Sequence, residues 1–140
     1  MLFRNSLRIA SALAALHAVM HQAGMLQAPT EPAEIALVEA MHAYQANVMG
    51  SVRSYLDFFT GMGIYLTITL LCLAIVMWQV SRADPHVRQA CRPLLLVIGL
   101  TFLAFAATSV KYFFIAPVAM QVLIAALVLL AWFTSRAKAA

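Results

Sequence analysis

The chain has 140 residues, of which 64% are hydrophobic and only 10% are charged. An ordinary soluble domain carries about 25% charged residues, and a soluble fold this apolar would aggregate. The formal net charge of +4 comes from basic residues that flank apolar segments and form no continuous patch with interleaved aromatic residues. This pattern argues against nucleic-acid binding. Composition therefore predicts one integral membrane domain over residues 1–140. Its predicted partner is the lipid bilayer around it.

Four apolar segments predict an all-α fold, a bundle of four transmembrane helices. We expect the helices at about 4–24, 58–80, 93–113 and 117–133. A helix needs about 20 residues to span roughly 30 Å of hydrocarbon, so the short first segment must recruit residues at its amino-terminal end. Arg4 and Arg8 also suit the basic region of a signal peptide. No good small-x-small cleavage site follows His21, so a membrane-spanning helix is the expectation.

The basic residues predict the orientation of the bundle. Seven of the nine Lys and Arg residues fall on one side of it: Arg4, Arg8, Arg82, Arg88, Arg92, Arg136 and Lys138. By the positive-inside rule that side is the cytoplasm. Both termini are then cytoplasmic, and residues 25–57 lie on the outer face. The turn from Tyr112 to Ala116 is very short, so the last two helices should be antiparallel neighbours.

The outer segment predicts a short amphipathic helix over about 31–49. Thr30 suits an N-cap, Pro32 suits a first turn, and Gly50 suits a carboxy-terminal stop. Apolar residues recur between them at the three- and four-residue steps of one helix face: Ile35, Val38, Met41, Tyr44 and Val48. The segment has few basic residues, so we expect it to cap the bundle on its outer face rather than to bind anionic lipid.

Polar side chains within the apolar segments predict a cluster at the outer mouth of the bundle. A charged side chain costs about 2.5–3.5 kcal/mol at the bilayer centre, so such residues need a reason. His17 and His21 are four residues apart and share one face of the first helix. Antiparallel helices bring the other candidates to a similar depth: His42, Asp57, Lys111 and Gln121.

Two interpretations of this cluster remain open. In the functional one, His17, His21 and Asp57 form an acid and base site, and Lys111, Gln121 and His42 line its pocket. In the structural one, Lys111 reaches the outer headgroups, Asp57 favours the start of its helix, and Gln121 bonds a neighbouring helix.

Cofactor motifs are incomplete. His17 and His21 could share a metal ion with Asp57 or His42 as a third ligand, but no glutamate follows His17 as in zinc proteases. No Cys-x-x-Cys-His sequence for haem attachment is present. No metal site is therefore predicted, and the cofactor stays unknown.

One run carries a family resemblance. His17 and His21, followed by Tyr55–Gly63 (YLDFFTGMG), resemble a family of small uncharacterised bacterial four-helix membrane proteins that are similar in overall shape to DoxX-like proteins. The resemblance covers the first two helices best. It implies a location in the bacterial inner membrane and supplies no activity.

Two functions follow from these observations. The first is an accessory or interaction subunit, bound to a larger membrane complex or to further copies of itself, because the chain is small and lacks a cofactor motif. The second is an intramembrane binding protein or enzyme for a lipid-soluble molecule, quinone-like or sterol-like, which uses His17, His21 and Asp57. Whether the protein is an enzyme is left open.

Overall fold

The computed structural model describes residues 1–135, so Arg136 and Lys138 lie outside the described residues. Its elements are α1 (Leu2–Met25), α2 (Pro32–Ala43), β1 (Gln45–Val48), β2 (Ser51–Ser54), α3 (Tyr55–Arg82), α4 (Pro85–Ala90), α5 (Arg92–Tyr112) and α6 (Ile115–Thr134). The described chain is mostly helical, as predicted. It forms two compact units: unit 1 joins Met1–His17 to the residues from Leu70 onward, and unit 2 is Ala18–Thr69.

Three helices within residues 1–135 are long and apolar enough to cross a membrane, namely α3, α5 and α6. They confirm the predicted helices at about 58–80, 93–113 and 117–133. The first predicted helix is also present, because α1 is helical over 24 residues. Polar residues recur along α1 and lower its hydropathy, among them Asn5, Arg8 and Ser11. Its role as a fourth span stays a prediction.

The core of unit 1 is built from apolar side chains, many of them small, at three- and four-residue steps. Its buried residues include Phe3, Leu7, Ala10 and Ala14 of α1, Leu70, Ala74 and Met77 of α3, Leu95, Ile98, Phe102 and Ala106 of α5, and Ile124, Ala125, Val128 and Ala131 of α6. Small residues let helix backbones approach closely, which is how helices associate in lipid. On α1, Ser11 Oγ donates a 2.7 Å hydrogen bond to the carbonyl oxygen of Ala74.

The α5–α6 pair is the antiparallel hairpin that the short turn predicted. Only Phe113 and Phe114 separate the two helices, which contact each other along their length. Gly99 is buried where they meet. A Cβ atom there would lie 2.7 Å from Cδ2 and 2.9 Å from Cγ of Leu129. Because glycine has no side chain, Gly99 allows α6 to pack closely on α5.

The predicted outer helix is wrong in its second half. α2 ends at Ala43, and the chain from Gln45 to Ser54 forms an antiparallel β-hairpin instead. Met49 and Gly50, with φ of 51° and 86°, make the tight turn, and Asn47 Oδ1 accepts a 3.1 Å hydrogen bond from the Gly50 N–H. Two successive residues with positive φ fit the right-handed twist of paired strands and cannot continue a helix. Gly50 is a turn residue and not a helix stop.

The role predicted for α2 also remains open. No residue of α2 is buried, so its expected amphipathic packing on the outer face is not confirmed. Glu31, rather than Thr30, occupies its N-cap position, and Glu31 makes no side-chain capping bond.

A short helix that the sequence analysis did not predict, α4, joins α3 to α5. Asp84 Oδ1 caps it by accepting hydrogen bonds from His86 N–H at 2.9 Å and Val87 N–H at 3.0 Å. The hydrogen bond from Val87 is the main reason why the pKa of Asp84 lies below its ordinary value. The only acidic side chain in the described part of unit 1 is therefore held ionised as a helix cap.

Gly99→Val should destabilise the α5–α6 pair. The added side chain would collide with Leu129 in a packed interface, and overpacking of this kind costs about 1–3 kcal/mol. Unfolding of the purified protein in detergent, followed by circular dichroism, measures the loss.

Gly61→Val is the matched control, because nothing lies within 4 Å of a Cβ atom at Gly61. Equal losses in the two variants would mean that valine acts through helix propensity and that close packing at Gly99 contributes nothing.

Candidate functional site

The six candidate residues divide between the two units. His17, Lys111 and Gln121 belong to unit 1, and His21, His42 and Asp57 belong to unit 2. The convergence of all six residues into one cluster therefore stays a prediction.

In unit 2 the central side chain is Thr67 of α3, which is buried. Its Oγ1 lies 3.0 Å from Nδ1 of His21, 3.1 Å from Oε1 of Gln22 and 3.2 Å from the carbonyl oxygen of Gly63. His21 and Gln22 are consecutive residues of α1, so the hydroxyl joins α1 to α3. Hydrogen bonds between helices are what a polar group in an apolar environment requires.

The number of protons available in this network determines which ring nitrogen of His21 carries a proton. A threonine hydroxyl has one proton, and both Gln22 Oε1 and the Gly63 carbonyl can only accept it. When Thr67 donates to either of them, Nδ1 of His21 must be the donor to Thr67. The neutral ring then carries its proton on Nδ1, as inferred from the network. Nε2 is left as the basic nitrogen, the ring atom able to take up a proton or bind a ligand.

Gly63 makes room for the neighbouring helix at the same level. A Cβ atom at Gly63 would lie 2.5 Å from Cε and 3.0 Å from Sδ of Met25. The side chain of Met25, in the last turn of α1, thus occupies the space above the glycine. Close approach at Gly63 is consistent with helix packing as the role of this glycine.

Asp57 is engaged at the start of α3. Its Oδ2 accepts a 2.8 Å hydrogen bond from the Ser54 N–H, and Ser54 Oγ accepts a 3.1 Å hydrogen bond from the Asp57 N–H. This reciprocal pair is a capping box, which satisfies two backbone donors that a helix start leaves open. Within unit 2, His21 and Asp57 therefore have different hydrogen-bond partners, and the acid and base pairing predicted between them stays a prediction.

The remaining candidate in unit 2 is His42, which lies exposed in the last turn of α2. Its carbonyl oxygen accepts a 3.0 Å hydrogen bond from Gln45 Nε2, which helps to end the helix. This contact uses the backbone of His42, and the pocket-lining role predicted for its imidazole is untested.

In unit 1 the three candidates differ in burial. His17 is 8% exposed and Gln121 only 4% exposed, whereas Lys111 is exposed and its amine lies 5.1 Å from the centre of the adjacent Tyr112 ring. Oε1 of Gln121 has no hydrogen-bond partner among residues 1–135. A buried amide oxygen without a partner is costly, so Gln121 is the side chain of unit 1 best placed to accept a hydrogen bond from a ligand.

A second group of polar residues, whose contacts with aromatic rings the sequence analysis did not predict, lies at the other end of unit 1. Three guanidinium carbons face aromatic rings: Arg8 lies 5.3 Å from Trp78, Arg88 lies 4.9 Å from Phe3, and Arg92 lies 5.3 Å from Trp132. These distances are within the range of cation–π attraction. We call Arg8, Arg88 and Arg92 the arginine end. The signal for it was present, since both tryptophans of the chain fall near basic helix ends.

No group of three or more His, Cys, Asp and Glu side chains within residues 1–135 could hold a metal ion. No family model, curated protein or solved structure matches the chain. Within the described residues of unit 2, the His21 imidazole is held by the Thr67 hydroxyl, and no carboxylate is bonded to it.

Thr67→Val should destabilise the protein by about 0.6–1.5 kcal/mol, because valine keeps the shape of threonine but removes the hydroxyl that joins α1 to α3. Unfolding in detergent micelles measures the change.

Thr69→Val provides the comparison for this substitution. Thr69 is exposed, and its hydroxyl donates only to the carbonyl oxygen of Tyr65 in its own helix. We expect little change there. If the two substitutions have the same effect, the contacts of Thr67 with His21 and Gln22 contribute no stability.

Proposed function

We propose that this protein is a small multi-pass protein of the bacterial inner membrane that acts as an accessory or interaction subunit of a larger membrane assembly. Its helices would form a four-span bundle similar in overall shape to DoxX-like proteins. Support for α1 as the fourth span comes from its stripe of buried residues in unit 1 and from the hydrogen bond between Ser11 and Ala74.

The observation that carries the proposal is the exposed phenol of Tyr65. Tyr65 is 73% exposed and lies seven residues, or about 10 Å, inside the apolar segment that begins at Phe58. Its hydroxyl makes no hydrogen bond within residues 1–135, and hydrocarbon offers none. A partner protein with a polar group at this depth would satisfy it.

Four threonine hydroxyls of the spans give a contrast. They donate to carbonyl oxygens of their own helices: Thr69 to Tyr65, Thr101 to Val97, Thr108 to Ala104 and Thr134 to Leu130. A tyrosine hydroxyl is too far from its own backbone to do the same. The hydroxyls of Tyr55, Thr60, Ser109 and Tyr112 also make no hydrogen bond within residues 1–135, but each of these residues lies within six residues of a helix end. Tyr65 is therefore the hydroxyl without a partner that lies deepest inside a span.

The surface around Tyr65 has the spacing of a helix interface. Four exposed residues of α3 in unit 2 follow one another at four- and three-residue steps: Phe58, Met62, Tyr65 and Thr69. This is the repeat by which helices pack as left-handed pairs. The 18-residue apolar window of α3 is only 17% buried, so most of its surface is available to a partner helix.

Tyr65→Phe should weaken the association of the protein with its partner by about two- to twentyfold, because it removes one buried hydrogen bond worth roughly 0.6–1.7 kcal/mol. Native mass spectrometry of the protein released gently from its own membrane gives the fraction that carries a partner. The stability of the isolated chain should not change. Tyr44→Phe, which alters an exposed tyrosine outside the three candidate spans, should leave the association intact.

A bare, single chain in that spectrum would contradict the proposal. The same spectrum examines the alternative, a binding protein for a lipid-soluble molecule, which the partnerless Oε1 of Gln121 favours. A small added mass that disappears in Gln121→Leu, without any partner chain, would make the alternative correct.

We also propose that the arginine end faces the cytoplasm, supported by the excess of arginine there and by the positive-inside rule. The segment from α2 to the hairpin would then lie on the outer face. A cysteine introduced in place of Glu39, in a chain whose Cys72 and Cys91 are changed to serine, should react with a membrane-impermeant thiol reagent added to the outside. Reaction only after the cytoplasmic side is opened would reverse the orientation.

A further inference from the structure

The arginine end has few acceptors for its own donors within residues 1–135. Five arginines lie within or beside it, Arg4, Arg8, Arg82, Arg88 and Arg92. The only acidic side chain in the described part of unit 1, Asp84, already accepts two backbone hydrogen bonds as the cap of α4. One carboxylate cannot neutralise five guanidinium groups, so most of this charge has no counter-charge within the described part of unit 1.

Two of the arginines also have a buried donor without a partner. The Nε atoms of Arg8 and Arg92 are buried and make no hydrogen bond within residues 1–135. Arg88 differs, because its Nε donates a 2.8 Å hydrogen bond to the carbonyl oxygen of Ala83. A buried N–H group without an acceptor costs free energy. Both side chains are only part-buried, and their terminal N–H groups make no hydrogen bond within residues 1–135, so these groups are available to an acceptor from outside.

The aromatic rings hold these arginines in place. Trp78 and Trp132 lie against the guanidinium groups of Arg8 and Arg92, which restricts the long side chains before any ligand arrives. A guanidinium group presents a planar fork of N–H donors that matches the oxygen atoms of a phosphate. Arg92 is also the first residue of α5, whose dipole favours an anion at this end.

The position of these groups identifies the source of the phosphate. The arginines sit at the ends of helices that include candidate spans, and tryptophan rings in membrane proteins concentrate at the depth of the headgroups. From these contacts, we infer that Arg8, Arg88 and Arg92 bind the phosphodiester groups of anionic lipids such as phosphatidylglycerol.

The inference predicts that arginine geometry, and not charge alone, determines affinity. Arg92→Lys and Arg8→Lys keep the positive charge but remove the Nε donor and the planar fork. Each should weaken the binding of phosphatidylglycerol to the delipidated protein by at least about tenfold, or roughly 1.4 kcal/mol. Titration with short-chain phosphatidylglycerol in neutral detergent, followed by native mass spectrometry, measures the affinity.

Arg82→Lys is the matched control, since Arg82 is exposed and has no aromatic partner. It should change the affinity less than twofold. Equal weakening in the Arg82 and Arg92 variants would show that lipid is attracted only by surface charge and would overturn the inference. Thermal unfolding of each variant without lipid shows whether the variant is folded. If Arg92→Lys does not fold, the affinity of the Arg8→Lys variant decides the test.

Competition with inorganic phosphate distinguishes a lipid headgroup from a free phosphate ion as the bound anion. At constant ionic strength, millimolar phosphate should compete poorly with phosphatidylglycerol, because the lipid chains bind alongside α5 and α6. If phosphate displaces the lipid as well as unlabelled phosphatidylglycerol does, the site takes a free anion and the assignment to lipid is wrong. Equal affinity for phosphatidylcholine and phosphatidylglycerol would also overturn it, because the site would then not select an anionic lipid.

Discussion

In an apolar environment every polar group must find a partner inside the protein, because the surroundings supply none. This constraint accounts for most of the specific contacts in the chain. Ser11 donates to the backbone of α3 in unit 1, and Thr67 joins two side chains of α1 in unit 2. Helix contacts in lipid gain nothing from water exclusion, so these few hydrogen bonds, with the small residues beside them, determine how α1 and α3 align within each unit.

The same constraint explains why polar groups without a hydrogen-bond partner within residues 1–135 indicate binding to another molecule. They include Gln121 and Tyr65 within apolar helices, and the Nε atoms of Arg8 and Arg92 nearer to helix ends. For a group inside a span, the missing hydrogen-bond partner would come from another protein or a small molecule. For a group at a helix end, the missing partner would be a lipid headgroup. The two proposals made for this protein are therefore independent, and each can fail without the other.

The helices were predictable because long apolar runs leave little choice of structure, and the α5–α6 hairpin followed from the shortness of its turn. The β-hairpin was missed because Tyr44 and Val48 fit the helical period as well as an extended one, and Gly50 ends a helix as readily as it makes a turn. The cap formed by Ser54 and Asp57 was readable from its S-x-x-D spacing. The contact of Thr67 with Gln22 was not, because 45 residues separate them and their meeting depends on the rotation of α1 against α3.

The long separation between Ser11 and Ala74, 63 residues along the chain, also imposes an order of events during synthesis. α5 and α6 can pair as soon as both have left the ribosome, since two residues connect them. α1 is made first, but Ser11 and His21 have no partner on another helix until α3 follows. During that interval these two side chains must stay hydrated or be held by the insertion machinery, so the most polar of the long helices is the one that waits longest to be buried.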